Sequence, residues 1–376
     1  MSGEHARLMP SRAHRWVHCG GSVVMEATFP EEEGEEAQEG TAAHEVAAHL
    51  LRTGEMLPLG HVTSNGRVVD HAMLEGADLY ANHVLSRLPA DKNYALQIEQ
   101  PVRCASIHPE CWGTPDVRVF LPRVPSLDVW DYKYGHDFVE VFENWQLLCY
   151  VSGELDEILR DHPEIEGHLW VHMHIVQPRS YHRDGPVRTW SARAVDLRPQ
   201  FNILTAAAAR ALGAPPAECR TGNHCNDCTA ARACEALQRA AMSAASYAAS
   251  AVPFNLPAAA AGRELQTLVA RREVMSARIT GLQAQIEGEL RAGNYVPFWQ
   301  LGFTKPRERW SRSVEEVAAM GELFGRDLRA APELITPAQA RKAGIAEEVV
   351  AAYSFRPKGE AKLVPMDTTD TRKIFS

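Results

Sequence analysis

Residues 113–134 read GTPDVRVFLPRVPSLDVWDYKY. Val117 to Leu121 and Leu127 to Tyr134 are runs rich in β-branched and aromatic residues, divided by Pro122, Pro125 and Ser126. That is the signature of two strands joined by a turn. Alternate side chains of a strand share a face, so Asp131 and Lys133 point one way and Tyr132 the other. Asp116, at the head of the preceding strand, can meet them across the pair.

The surrounding pattern places this pair in an α/β core. Upstream, Tyr94 to Arg103 predicts a further strand, Asp70 to Leu88 a helix, and Thr41 to Leu51 a helix that opens on Thr41 as N-cap, with Glu45 nearby. Downstream, Val141 to Leu155 predicts a helix. Gly167 to Val176 then alternates Leu169, Val171, Met173 and Ile175 with His168, Trp170, His172 and His174, a period-two strand. Pro199 to Leu212 predicts an alanine-rich helix, and another runs to about Ala249. Ala251 to Gly262 reads as a linker. Apolar residues from Leu265 to Leu290 recur at steps of three and four, a long amphipathic helix. A hairpin-like segment over 296–310 and a helix over 337–353 complete the chain. Helix, strands, helix, strand and then helices predict a core over 1–250 and a mostly helical region over 251–376.

Composition narrows the classes. The chain has 376 residues, 45% hydrophobic and 23% charged, which disfavours a disordered or fibrous chain. No apolar run approaches the ~20 residues of a membrane helix, and Met1 to Arg15 lacks the apolar stretch of a secretory signal. These features predict a soluble protein of the cytoplasm, without membrane partners. Thirty-nine basic residues stand against 48 acidic ones, a net charge of −9, so any nucleic-acid surface must be local. Glu31, Glu32, Glu33, Glu35, Glu36 and Glu39 crowd one segment, which reads as a solvated loop.

Two carboxylates beside a lysine suit a hard cation such as Mg²⁺ or Mn²⁺, with Lys133 assisting an attacking water; the plainer alternative has Asp116 and Asp131 capping turns and Lys133 at the surface. His44 stands early in a helix, where it can approach the same ion or simply pack. Gln146 and Tyr150, four apart, share a helix face. Cys219, Cys225, Cys228 and Cys234 lie within sixteen residues, a density that favours a metal or iron–sulfur site over disulfides in a reducing compartment. Cys104, Cys111 and Cys149 read as core thiols. His168, His172 and His174 read as packing or a DNA-facing surface. Glu99 reads as a surface residue or a further acid, and Arg179 as part of a strand-terminating turn or a phosphate ligand. Lys305, Arg307, Arg309 and Arg312 form either a DNA-contacting patch or a solvated face.

Taken in order, His44, Gly113-Thr-Pro-Asp116, Asp131-Tyr-Lys133 and Gln146-x3-Tyr150 resemble the motifs of the RecB-type branch of the PD-(D/E)XK nucleases. Ser11 to Cys19 and the C-x2-C-x5-C of Cys225, Cys228 and Cys234 are similar to the split iron–sulfur arrangement of AddB-type relatives. The closest likeness is to phage and prophage RecB-like proteins, and LITPAQARKAGI near the C-terminus extends it over most of the chain.

The resemblance implies a restriction-endonuclease-like core with a mixed central sheet flanked by helices. It implies His44, Asp116, Asp131 and the Tyr132 carbonyl as ligands of Mg²⁺ or Mn²⁺, Lys133 as the catalytic lysine, and Gln146 and Tyr150 beside it. Cys19, Cys225, Cys228 and Cys234 would hold a [4Fe–4S] cluster. A local Zn²⁺ site of Cys219, Cys225, Cys228 and Cys234, or free thiols, are the alternatives. The implied function is a metal-dependent DNA exonuclease acting on single strands or duplex ends in phage recombination, replication or DNA processing, beside an annealing or single-strand-binding protein. Other readings are an inactive DNA-binding scaffold and a zinc-stabilised interaction protein.

Overall fold

The computed structural model describes residues 6–29, 34–248, 257–297 and 299. The expected hairpin over 296–310 with its basic residues, half of the expected linker, the helix over 337–353 and the LITPAQARKAGI segment lie outside the described residues, except for 296, 297 and 299.

Five strands form the central sheet: β1 (Ala95–Ile98), β4 (Val117–Leu121), β5 (Ser126–Tyr132), β6 (Trp170–Val176) and β7 (Val187–Arg193), side by side in that order. Two short ones, β2 (Val102–Arg103) and β3 (Trp112–Gly113), pair separately. The β1–β4, β4–β5 and β6–β7 pairs are antiparallel, and β5–β6 is parallel. Parallel neighbours need a crossover, here the helix α5 (Trp145–Asp161). The sheet is therefore mixed. All seven residues of β5 are buried, which suits the middle strand of a sheet covered on both faces.

One face of the sheet (Leu127, Val129, Val171, Met173 and Ile175) packs with Leu147, Leu148, Val151 and Leu155 of α5 and with Leu204 and Ala208 of α6 (Arg198–Ala211). On the other face Val117, Val119, Trp130, Tyr132 and Val176 meet Ala43, Val46 and Ala47 of α3 (Glu35–Thr53) and Met73, Ala77 and Tyr80 of α4 (His71–Ser86). Two short helices, α1 (Ala13–Trp16) and α2 (Gly21–Glu26), precede α3. Beyond the sheet, α7 (Glu235–Ala248) and α8 (Ala258–Arg291) share a small core of Cys225, Ala231, Leu237 and Ala277. The described part therefore has an α/β centre with helices following it. Among the described residues no helix is long and apolar enough to cross a membrane.

Capping explains several boundaries. Asp70 accepts from the Met73 N–H and starts α4 as predicted. Asn144 accepts from the Gln146 and Leu147 N–H groups, so α5 starts at Trp145 and not at Val141. Helix α3 begins six residues before Thr41, whose hydroxyl instead donates to the Ala37 carbonyl at 3.1 Å. Glu35 and Glu36 fill its first turn, where the N-terminal dipole favours acidic groups. Glu35, Glu36 and Glu39 are therefore helical and not part of a loop. The expected strand over 94–103 breaks at Pro101 into β1 and β2. Strand β7 was not predicted, because the alternation in Val187-Arg-Thr-Trp-Ser-Ala-Arg193 carries little apolar contrast. Helix α8 starts inside the Ala-rich stretch read as a linker, and Leu265 and Ile279 stay 42% and 53% exposed, so its apolar stripe is only partly packed.

Candidate functional site

The candidate residues converge where β4 and β5 meet α3 and α5. Asp116 stands immediately before β4, and its Oδ2 accepts from the Tyr132 N–H at 2.6 Å. Its Oδ1 lies 3.1 Å from Nδ1 of His44. Helix α3 holds that imidazole edge-on to the Tyr132 ring, with centroids 5.3 Å apart. His44 also lines an open groove of about 400 Å³ along α3, with Glu45, His49, Arg52, Ser64 and Glu99. Glu99 is ion-paired to Arg52 at 2.6 Å at the groove's rim.

Asp131 and Lys133 share a face, as strand alternation requires. Lys133 Nζ lies 2.9 Å from Asp131 Oδ2 and donates to Gln146 Oε1 at 3.0 Å. Gln146 Nε2 donates to Asp131 Oδ1 at 3.0 Å, closing a triangle. Tyr150, one turn further along α5, hydrogen-bonds Gln146. The i,i+4 pair thus orders the lysine.

The charges are tuned in opposite directions. Burial works against a charged His44, but the charge and hydrogen bond of Asp116 prevail and raise it above the ordinary histidine value. Burial would raise Asp116; His44 and the Tyr132 N–H hold it below the usual carboxylate range instead. Asp131 is raised, by burial first and by the neighbouring Asp116 charge, although Lys133 pulls the other way. Burial opposes the Lys133 ammonium, and Asp131 overcomes it, raising the lysine further. The result is a charged amine and an imidazole–carboxylate pair, both partly open to solvent.

The expected ion site is not borne out. Among the described residues no group of three or more His, Cys, Asp or Glu side chains is arranged to hold a metal ion. The physical reason is visible in the carboxylates. Both oxygens of Asp116 are directed at His44 and the Tyr132 amide, and both oxygens of Asp131 at Gln146 and Lys133. The assignment of His44, Asp116, Asp131 and Tyr132 to Mg²⁺ or Mn²⁺ is corrected accordingly.

The thiols bring a second correction. Cys19, Cys219, Cys225, Cys228 and Cys234 line one cavity of about 20 Å³, between α2 and the segment before α7, room for about one water. They do not form a metal-holding group. Cys19 Sγ instead accepts from the Arg220 N–H at 3.3 Å, and Cys219 hydrogen-bonds Cys19 and Cys234. Burial pushes Cys219 up to about 12 and Cys228 likewise to about 12. The [4Fe–4S] set of Cys19, Cys225, Cys228 and Cys234 and the Zn²⁺ set with Cys219 both fall on the lack of a metal-holding group among the described residues. Cys104, Cys111 and Cys149 are fully buried in the main core, as core thiols should be.

Two features escaped the sequence reading. His174 is buried, and its Nε2 lies 3.0 Å from Oδ1 of a fully buried Asp128. Asp128 also accepts from Arg87 at 2.8 Å and from Ser126 at 2.9 Å. Parallel register places Asp128 opposite His172, so the missing signal was strand pairing. His172 meets Ser191 at 2.7 Å, whereas His168 stands exposed just before β6. The second feature is Gln177, wholly buried just past β6, whose amide ties together the loops that leave β5 and β6.

Residues 5–373 match the family described as a protein of unknown function (DUF2800), and the chain belongs to that family. This match, with the lack of a metal-holding group among the described residues, overturns the assignment to the RecB-like branch of the PD-(D/E)XK nucleases with AddB-type cysteines.

Proposed function

We propose that the chain is a hydrolase of nucleic-acid phosphodiester bonds, a deoxyribonuclease working at DNA ends or on single strands. The observation that carries this reading is the position of Lys133, held between Asp131 and Gln146 beside the His44–Asp116 pair. A phosphodiester carries negative charge that grows on its oxygens as water attacks, and a fixed ammonium stabilises that charge. His44, with Nδ1 on Asp116, takes the proton of the attacking water through its other ring nitrogen. Asp116 fixes the ring and steadies the imidazolium that forms. Asp131, Gln146 and Tyr150 hold the lysine in place. A restriction-endonuclease-like core is the finer reading of the mixed sheet that this placement supports.

The test uses end-labelled single-stranded and duplex DNA, with wild-type protein and the Lys133→Ala and Asp116→Ala variants. Arms with a divalent cation and with a chelator report on any ion requirement. Trimming that falls by about 10²-fold or more in both variants supports the reading. Undiminished trimming in both, or no trimming by the wild type in any arm, rejects it.

A further inference from the structure

The loops that follow β5 and β6 leave the sheet side by side, at the end that carries the proposed site. The Lys133 N–H donates to the Val176 carbonyl at 2.9 Å, extending the β5–β6 pairing by one residue. Gln177 then fastens the loops. Its Nε2 donates to the carbonyls of Gly135 at 2.9 Å and Asp137 at 2.6 Å, and its Oε1 accepts from Arg188 at 2.7 Å. A side chain with no exposure and this many partners makes a built lip.

The lip presents an arginine and exposed aromatic side chains. Arg179 lies over the Tyr134 ring at 4.7 Å, donates from Nε to His136 Nε2 at 3.1 Å, and is 2.6 Å from Oε2 of Glu39 on α3. His136 Nδ1 returns the tie to the Arg179 carbonyl at 3.3 Å. Phe138, 40% exposed, has the His182 ring tilted against it with centroids 4.0 Å apart and the Arg188 guanidinium 4.7 Å over it. Tyr181 is 96% exposed.

We propose that this lip seats an unpaired nucleic-acid strand leading into the site, with Arg179 gripping a phosphate, Tyr181 stacking on a base, and Glu39 occupying the guanidinium until a phosphate displaces it. The proposal rests on the nuclease reading of the site and adds the strand's class and its contacts. An arginine fork held over a ring already carries an oxyanion, the Glu39 carboxylate, in the geometry a phosphate oxygen would take. Exposed rings beside such a cation are how single strands are held, because only unpaired bases offer their faces. A paired duplex presents phosphates but buries those faces, so Tyr181 would gain nothing from it.

The experiment measures fluorescence anisotropy of a labelled, phosphorothioate-linked 20-nucleotide thymidine strand and of the corresponding duplex, across a salt series. Full-length wild type, Arg179→Ala, Tyr181→Ala and Glu39→Gln are compared, with thermal melting of each variant alongside. Expected are tighter binding of the single strand and a salt slope reduced by about 0.7 in Arg179→Ala, one phosphate contact on a single strand. Tyr181→Ala should weaken the single strand about five-fold or more and leave the duplex unchanged. Glu39→Gln should tighten it about two- to five-fold, a gain that misfolding cannot produce. Equal affinity for duplex, no measurable binding, or an unmoved slope in Arg179→Ala would overturn the proposal. If the lip variants shift binding as expected and no preparation cleaves DNA, the lip stands and the hydrolase reading falls. If cleavage needs Lys133 while the lip variants leave binding unmoved, the hydrolase reading stands and the lip falls.

Discussion

Gln146 Nε2 donates to Asp131 Oδ1 at 3.0 Å while the same amide's oxygen receives the Lys133 ammonium. One neutral side chain thus satisfies an acid and a base that would otherwise meet only each other. Gln146→Leu removes both bonds and leaves a buried carboxylate oxygen without a hydrogen bond, at a cost of about 1–3 kcal/mol. DNA trimming should fall about ten-fold or more, because the lysine is no longer oriented. Chemical denaturation and end-trimming rates on the same preparation check both effects. Wild-type rates in a destabilised Gln146→Leu would show that the amide is structural only.

The His44–Asp116 pair sets a pH dependence. A base acts only when unprotonated, and Asp116 raises His44 above its ordinary value of about 6.5. Trimming should therefore rise with pH and reach half its plateau above pH 6.5. In Asp116→Asn the raising charge is gone and the half-point should move to lower pH, alongside a lower plateau. A pH–rate profile of both proteins measures this. An unmoved half-point in Asp116→Asn would assign the titration to another group.

His174 sets a stability window of its own. Burial first, against the counter-pull of Asp128, brings it down to about 4. Above about pH 6.5 its imidazole is neutral in both folded and unfolded chains. As pH falls below that value the unfolded chain takes up the proton and the folded chain does not, until about pH 4. Folding should lose about 3 kcal/mol across this window through His174. Denaturant midpoints at stepped pH should show that loss in the wild type and a flatter course in His174→Gln. Identical slopes would remove His174 from the acid response.

Gly153 offers a test of packing alone. A Cβ placed there would stand 2.6 Å from the Arg103 carbonyl oxygen and 2.7 Å from a Val102 methyl. Helix α5 can therefore lie against β2 only with hydrogen at that position. Gly153→Ala should destabilise by about 1–3 kcal/mol despite the better helix propensity of alanine. Gly135→Ala, where a Cβ meets nothing within 4 Å, is the control expected to change stability little. Comparable melting of Gly153→Ala and wild type would mean that α5 shifts at no cost.

Local pattern carried much of the fold and little of the electrostatics. Strands β4, β5 and β6 were legible because their alternation is apolar enough to read, and α4 because Asp70 is a strong cap. Strand β7 was hidden by Arg188 and Arg193, and the true start of α3 by an acidic run that reads equally as a loop. The grouping of Asp116, Asp131 and Lys133 followed from strand periodicity, and Gln146 with Tyr150 from helix periodicity. Where each carboxylate oxygen points depends on the Tyr132 amide and the Gln146 side chain, contacts made in three dimensions, so the expected ion ligands could not be tested by spacing. The thiols illustrate the same limit, since C-x2-C-x5-C fixes proximity and leaves protonation to burial.

The first helices are fastened to a much later part of the chain. Arg15 donates to the Asp227 carbonyl at 3.0 Å, the Arg220 N–H to Cys19 and the Thr229 N–H to Glu26, each spanning more than 200 residues. During synthesis these three bonds cannot form until the residues around 219–229 have emerged, long after residues 15–26. Such long-range closure slows assembly, so these ties form late relative to the contacts the same helices make with residues 102–150.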